Sequence, residues 1–362
     1  MKLTLVTDAW EPQVNGVVRT LATTVKLLAA RGVRVQVISP DQFWSLPMPS
    51  YPEIRLAMTT RRRISRLIRD FAPDALHIAT EGPLGWLARG WALQQGFAFT
   101  TSFHTRFPDY VAARIGIDPA RVWRVLRRFH APAHAVMVAT PRLAAELVGH
   151  GLTRTQPWAR GVDTDLFRPD TAPHPAVTDL QRPLALHVGR VAVEKNVEAF
   201  LAAPWPGDKL VVGDGPALDA LQKKYPKAHF LGALHGPALA SAYAAADVLA
   251  FPSRTDTFGL VMIEALACGT PVAGYKVPGP LDVVGADGFG PDGRAPGRIG
   301  ALGHDLGEAM MKALAARRAD CVAQGRRYGW DRAVDQFLAA LVTGDGSPVP
   351  FLPAPGDYRQ VA

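Results

Sequence analysis

Cysteine is scarce in this chain. The 362 residues include two, Cys268 and Cys321. Neither stands in a CxxC or other metal-ligand spacing, which excludes a disulfide framework and points to a reducing compartment with two buried thiols. Long apolar runs are also missing. None approaches the roughly 18–20 residues that cross a bilayer. The opening stretch, Met1 to Asp8, is too short and too soon charged for a secretion signal and reads as a strand. The expectation is a protein of the cytoplasm, free or resting on the inner face of the cell membrane. The first loop, Asp8 to Val18, holds a single glycine, Gly16. The three-glycine dinucleotide fingerprint is therefore absent, which argues against a dehydrogenase. No His/Cys cluster suggests zinc. No fixed-period repeat shows, and the basic charge is not paired with a stacking platform for nucleic acid.

What is present is an ordinary globular composition, 48% hydrophobic and 20% charged, with a net charge of +8. The charge favours acidic partners: nucleotide phosphates or anionic lipid. A chain this long exceeds the roughly 250–300 residues at which single cores stop growing, so two domains are expected. The pattern agrees with that. Short apolar strands at 2–7, 33–39, 75–79, 98–103 and 135–139 alternate with helical stretches at 17–30, 83–95, 119–129 and 141–150. A proline-rich break at 151–182 reads as a linker. The alternation then restarts with strands at 184–188, 209–212, 228–231, 248–251 and 270–273. Strands alternating with helices of this length mean parallel sheets covered on both faces. Ligands of such sheets bind at the carboxyl ends of the strands.

The strongest chemical signal runs from Pro252 to Pro271. It follows a strand, opens a helix near Gly259, and carries Asp256 and Glu264. A helix start offers unpaired N–H groups and partial positive charge to a phosphate, and Gly259 lets backbone approach the ligand. Glu264 sits among apolar neighbours, where a carboxylate needs a partner; a ribose diol supplies two hydroxyl donors. The segment resembles the acidic-to-glutamate motif of the family-4 glycosyltransferases, nucleotide-sugar enzymes of GT-B fold. The resemblance extends over Leu3 to Leu341. The family usually has Glu at the first acidic position, where this chain has the shorter Asp256. The Thr-Asp-Thr-Phe-Gly form is similar to the branch with sulfoquinovosyl, glucosyl and glucuronosyl diacylglycerol synthases and lipid mannosyltransferases.

The resemblance implies an α/β fold of two facing Rossmann-like domains with the ligand cleft between them. The expected division is an acceptor-binding domain at 1–160, a nucleotide-sugar domain at 161–325, a C-terminal helix within 326–345 returning to the first domain, and a loose tail at 346–362. It further implies that Asp256 binds the donor sugar's hydroxyls, that Glu264 binds the ribose, and that Phe258, Gly259 and Leu260 line the phosphate turn. Arg190 and Lys195, two cations on the loop after strand 184–188, look like the family's diphosphate clamp, doing with fixed charge what a metal does elsewhere. Gly16 resembles the family's N-terminal glycine loop. His104, at a strand end in the first half, matches a histidine that hydrogen-bonds the transferred sugar. Arg106 and Tyr110 are weaker candidates for acceptor contact. Gly213 matches a Gly-x-Gly turn, for which a purely structural role is equally open. Leu231 matches the stretch whose backbone reads the nucleobase. Asp163-Thr164-Asp165 mimics a metal-binding DxD but falls in the interdomain linker and is read as structural. No metal and no cofactor are expected.

Two arginine-rich helices complete the picture. Arg61, Arg62, Arg63, Arg66 and Arg69 accompany Ile64, Leu67, Ile68 and Phe71, and Arg121, Arg124, Arg127 and Arg128 accompany Val122, Val125, Leu126 and Phe129. Such helices either lie on an anionic membrane or turn their apolar stripes into the core with the arginines solvated. The function expected is retaining, metal-independent transfer of a hexose, glucose or glucuronate, from a UDP-sugar to a lipid such as diacylglycerol. A GDP-mannose donor, a soluble sugar acceptor and a non-catalytic nucleotide-binding protein stand as alternatives.

Overall fold

The computed structural model describes residues 1–13, 15–48, 51–104, 118–350 and 352. Arg106 and Tyr110 lie outside the described residues. The chain divides into two compact units, one of Met1–Arg160 with Asp331–Ala362, the other of Gly161–Trp330.

The first unit is built on a six-stranded sheet, in the order β2-β1-β5-β6-β7-β8. Its strands are β1 (Lys2–Val6), β2 (Arg34–Ile38), β5 (Ala75–Ile78), β6 (Thr100–Phe103), β7 (Ala135–Val138) and β8 (Thr155–Pro157). All neighbours pair in parallel. A separate antiparallel hairpin joins β3 (Ser45–Met48) to β4 (Tyr51–Ala57). The central strand β6 is polar yet buried. Its hydroxyls are met by histidines: Thr100 by His77 and Thr101 by His130, each at 2.9 Å. This satisfies groups that would otherwise cost about 1–3 kcal/mol each when buried. Helix Trp330–Ala340 packs Val334, Phe337 and Leu338 into one core with Leu3, Leu5, Leu21 and Leu28.

The second unit carries the sheet β11-β10-β9-β12-β13-β14. The strands are β9 (Ala185–Val188), β10 (Lys209–Val212), β11 (His229–Phe230), β12 (Val248–Phe251), β13 (Val272–Tyr275) and β14 (Gly300–Gly303). Its core gathers Val191, Phe200, Val211, Val248, Ala273 and Met310.

Three sequence readings are corrected. The stretch taken as a linker contains β8, which pairs with β7. It escaped notice because it is three residues long and ends in proline. The strand expected at 270–273 begins instead at Val272. Gly269 (φ +79°) ends the preceding helix, and the Thr270 hydroxyl donates to the Tyr243 carbonyl at 2.6 Å, so the turn occupies 269–271. β14, with the sequence Gly-Ala-Leu-Gly, has no β-branched residue to announce it.

The basic helices turn their apolar stripes inward. Ile64 and Ile68 of helix Arg61–Phe71, and Leu126 and Phe129 of helix Pro119–His130, are buried in the first unit's core. Val125 alone of those stripes is well exposed, at 53%. The arginines face water, and a hollow of about 360 Å³ is lined by Arg61, Arg62, Ser65, Arg66, Arg69 and Gln94. No helix among the described residues is long and apolar enough to cross a membrane.

Candidate active site

In each sheet the chain winds outward in both directions from a central pair of strands, β1/β5 in the first unit and β9/β12 in the second. The crevice beyond the carboxyl ends of such a pair is where open α/β sheets bind ligands.

In the second unit, Lys195 closes a short turn, Val193–Lys195, on the loop leaving β9. Asp256 lies on the loop leaving β12. The two side chains form an ion pair, Nζ to Oδ1 at 2.5 Å, with a quarter and a fifth of each exposed. Asn196 braces the loops by donating to the Pro252 carbonyl at 3.2 Å. Arg190 is exposed on the same loop as Lys195. Below them the strand ends approach too closely for side chains. A Cβ on Gly213 (φ +146°) would lie 1.8 Å from the Gly189 carbonyl oxygen, and one on Gly215 (φ +154°) 2.4 Å from that of Val191. Backbone packing thus accounts for the Gly-x-Gly turn. Leu231 follows β11 half-buried, its N–H held by the Val211 carbonyl at 3.0 Å.

Helix Leu260–Ala267 starts at Gly259 (φ +89°), and no side chain among the described residues caps it. A Cβ at Gly259 would meet the Phe251 ring at 2.8 Å. Phe258 is buried, edge-on to Tyr328 with ring centroids 6.0 Å apart. Leu260 opens the helix half-buried. Glu264 is 2% exposed, and its Oε2 accepts the Tyr243 hydroxyl at 2.8 Å. Tyr243 was missed in the sequence, since the alanine-rich helix that carries it has no polar pattern. Two further buried polar atoms at this crevice have no partner among the described residues: His187 Nε2 at the end of β9 and Ser253 Oγ just past β12. Burial pushes His187 down to about 4, so the ring is neutral. Its Nδ1 faces the Ala250 carbonyl at 3.4 Å and carries the proton, which leaves Nε2 a bare acceptor.

In the first unit, His104 follows β6 and is 6% exposed. Arg160 Nη2 donates to its Nδ1 at 2.8 Å. Arginine only donates, so the ring proton is on Nε2, which donates to Ser102 Oγ at 2.9 Å. Burial, then the Arg160 charge, holds the imidazole well below its usual pKa. Both ring nitrogens therefore have protein partners, and a ring bond to a sugar requires one of them to be given up. Arg160 is buried as well, pushed down to about 10 by desolvation, and lies over the Trp158 ring at 5.3 Å. Gly16 begins helix Gly16–Ala30, but Asn15 Oδ1 already takes the N–H groups of Val17 and Val18, each at 3.0 Å. Helix Pro83–Gln95 is likewise occupied. Asp8 Oδ1 accepts from Leu84 N at 2.9 Å and Oδ2 from Gly85 N at 3.3 Å. The DxD look-alike is a turn: Asp163 Oδ1 accepts from the backbone of Asp165 and Leu166 at 3.0 Å each.

The helix starts differ between the units in a way that bears on anion binding. At the first unit's crevice the N-terminal N–H groups are filled by Asn15 and Asp8. At the second unit's crevice the start at Gly259 is uncapped and Lys195 and Arg190 stand on the adjoining strand's loop. Open N–H groups beside cations favour an anion in the second arrangement, whereas in the first the N–H groups are taken and Asp8 adds a carboxylate.

Residues 14–166 match the model of Glycosyltransferase Family 4, and residues 182–299 that of Glycosyl transferases group 1. The chain is 31% identical over 352 residues to the GDP-mannose-dependent alpha-mannosyltransferase of Mycolicibacterium smegmatis, covering 91% of each chain. The chain belongs to the family-4 glycosyltransferases. Within that family it is 28% identical over 374 residues to the sulfoquinovosyl transferase of Arabidopsis thaliana, covering 91% of this chain and 71% of the relative. Its fold is that of the GT-B glycosyltransferases. The sucrose-phosphate synthase of Thermosynechococcus elongatus superposes with a TM-score of 0.70 at 22% identity, over 93% of this chain and 97% of that one. The protein is thus a glycosyltransferase that takes its sugar from a nucleotide sugar, in the branch the Thr-Asp-Thr-Phe-Gly segment suggested.

Proposed function

We propose that this glycosyltransferase moves a hexose to a lipid acceptor such as diacylglycerol, with retention of configuration and without a divalent metal. The observation that carries the reading is the uncapped helix start at Gly259 beside Lys195, Arg190 and Asp256. Fixed cations and backbone N–H groups there take up the charge that develops on the leaving diphosphate. Asp256, once released from Lys195, accepts hydroxyls of the donor sugar, and Glu264 accepts those of the ribose. Leu231 reads the base through its backbone. His104 and Arg160 act as a neutral, positively backed corner for the sugar. No side chain is assigned as nucleophile. The acceptor hydroxyl attacks from the face the diphosphate leaves, and the phosphate takes its proton.

The lipid reading draws on the alpha-monoglucosyldiacylglycerol synthase of Streptococcus pneumoniae, 25% identical over 355 residues, and on the arginine face of helix Arg61–Phe71. With the apolar stripe buried, that face attaches to an anionic surface by charge alone, at about 1 kcal/mol per residue, and salt weakens it. A GDP-mannose donor is the second reading, favoured by the mannosyltransferase at 31% identity. The test is nucleotide release from a panel of nucleotide sugars in EDTA, with and without diacylglycerol micelles, followed by assignment of the product anomer. Lipid-stimulated UDP release with retention supports the proposal. GDP release from GDP-mannose moves the donor to the second reading. Release that needs a divalent cation overturns metal independence.

A further inference from the structure

The first unit's crevice holds a carboxylate to which none of the foregoing gives a role. Glu81 lies just past β5, at the point where the sheet order reverses between β1 and β5. Its side chain is 9% exposed. One oxygen, Oε1, is fixed by His130 Nε2 at 3.1 Å, and His130 Nδ1 is in turn held by Thr101 Oγ1 at 2.9 Å. The His130 side chain is fully buried, with the Phe129 ring edge-on at 4.9 Å between centroids. The other oxygen, Oε2, makes no hydrogen bond among the described residues and is not sealed from solvent. A carboxylate held by one oxygen from a buried chain, with the second reached by solvent, is an oriented acceptor of hydrogen bonds.

The surroundings define what it can accept. The helix start beside it is filled by Asp8, whose own N–H is held by Thr80 Oγ1 at 2.7 Å. Two carboxylates with no open N–H group repel phosphate and take hydroxyl donors. Resting on the transferase reading above, we propose that Glu81 binds the acceptor through Oε2, and that the acceptor presents a neutral hydroxyl-bearing group there. His130 and Thr101 are its positioning residues. An acceptor carrying a phosphate at the same place is disfavoured.

The experiment compares the wild type with Glu81→Gln, using diacylglycerol micelles and, separately, methyl glucoside as acceptors. Gln retains an oxygen for the His130 N–H, so the fold-holding contact survives. The expected result is a rise of tenfold or more in acceptor KM. Nucleoside diphosphate affinity and acceptor-free donor hydrolysis should stay within twofold. Phosphatidic acid should inhibit the variant more strongly than the wild type. Should Glu81→Gln lose its thermal transition, His130→Gln serves instead, with the same direction of KM expected. An unchanged acceptor KM, or a loss of nucleotide affinity in parallel, overturns the proposal, as does wild-type indifference to both acceptors. Transfer to methyl glucoside but not to diacylglycerol sinks the lipid reading while leaving the Glu81 comparison intact.

Discussion

Replacing Asp256 with Asn should tighten the binding of free nucleoside diphosphate. In the structure Lys195 does not wait for a phosphate; it is bonded to Asp256 at 2.5 Å. A diphosphate that engages Lys195 must first break that pair. With the two side chains 25% and 19% exposed, the pair sits at the upper end of the range for solvent-accessible ion pairs, about 1 kcal/mol. Removing the competitor returns that energy to the ligand, a gain of about fivefold in affinity for UDP or GDP. Sugar transfer moves the other way. An amide accepts sugar hydroxyls less strongly than a carboxylate, and loss of one charged contact in the transition state lowers turnover by about a hundredfold. Isothermal titration with UDP and GDP measures the first effect, and nucleotide release under saturating donor the second. The gain should shrink in high salt, since it is a gain of charge. Affinity for the diphosphate that falls, or holds level, in the Asn variant would refute the exchange.

Three further outcomes are expected. Tyr243→Phe removes the hydroxyl bonded to buried Glu264 and should cost about 1.5–3 kcal/mol, read as a lower melting temperature that nucleotide partly restores. Gly213→Ala places a methyl 1.8 Å from the Gly189 oxygen and should cost at least about 3 kcal/mol from overlap and backbone strain together. Gly32→Ala, at φ +79° with nothing within 4 Å, should cost only about 1–2 kcal/mol, and thermal unfolding separates the two. Asp8 is raised from 3.8 to about 6 by burial, against the bonds from Leu84, Thr80 and Gly85. A raised acid is favourable to folding below its unfolded pKa and loses that contribution as pH rises through the folded one. Denaturant titration should therefore show about 3 kcal/mol of stability lost between roughly pH 4 and 7, a slope that Asp8→Asn abolishes.

The parts of the candidate site that lie on single loops were legible before any fold was known, because they are local. The turn into helix Leu260–Ala267, the Arg190–Lys195 loop and the glycines of the strand ends are runs of neighbouring residues, and their chemistry follows from residue type and spacing. The same is true of the alternation that announces two parallel sheets. Boundaries were less legible where a turn rather than a strand consumed the residues, as at Gly269 to Pro271, or where a strand lacked β-branched side chains, as in β14.

What only the tertiary structure decided are the pairings across the sheets. Lys195 meets Asp256 across 61 positions, Arg160 meets His104 across 56, and His130 meets Glu81 across 49. No periodicity reaches that far; the neighbouring strands β9 and β12 bring Lys195 to Asp256, while Arg160 arrives from beyond β8 and His130 from the end of helix Pro119–His130. The same packing turned the apolar stripes of the arginine helices inward, leaving the arginines and, of the stripes, Val125 facing out. It also placed side chains of the chain itself over the helix starts of the first unit while the one at Gly259 stayed open. Sequence by itself determined the family, the alternation of strands and helices and the motif-bearing loops, since these rest on local patterns of residue type. Tertiary structure decided which of those polar groups are already spoken for, because a hydrogen bond or ion pair depends on distance in space.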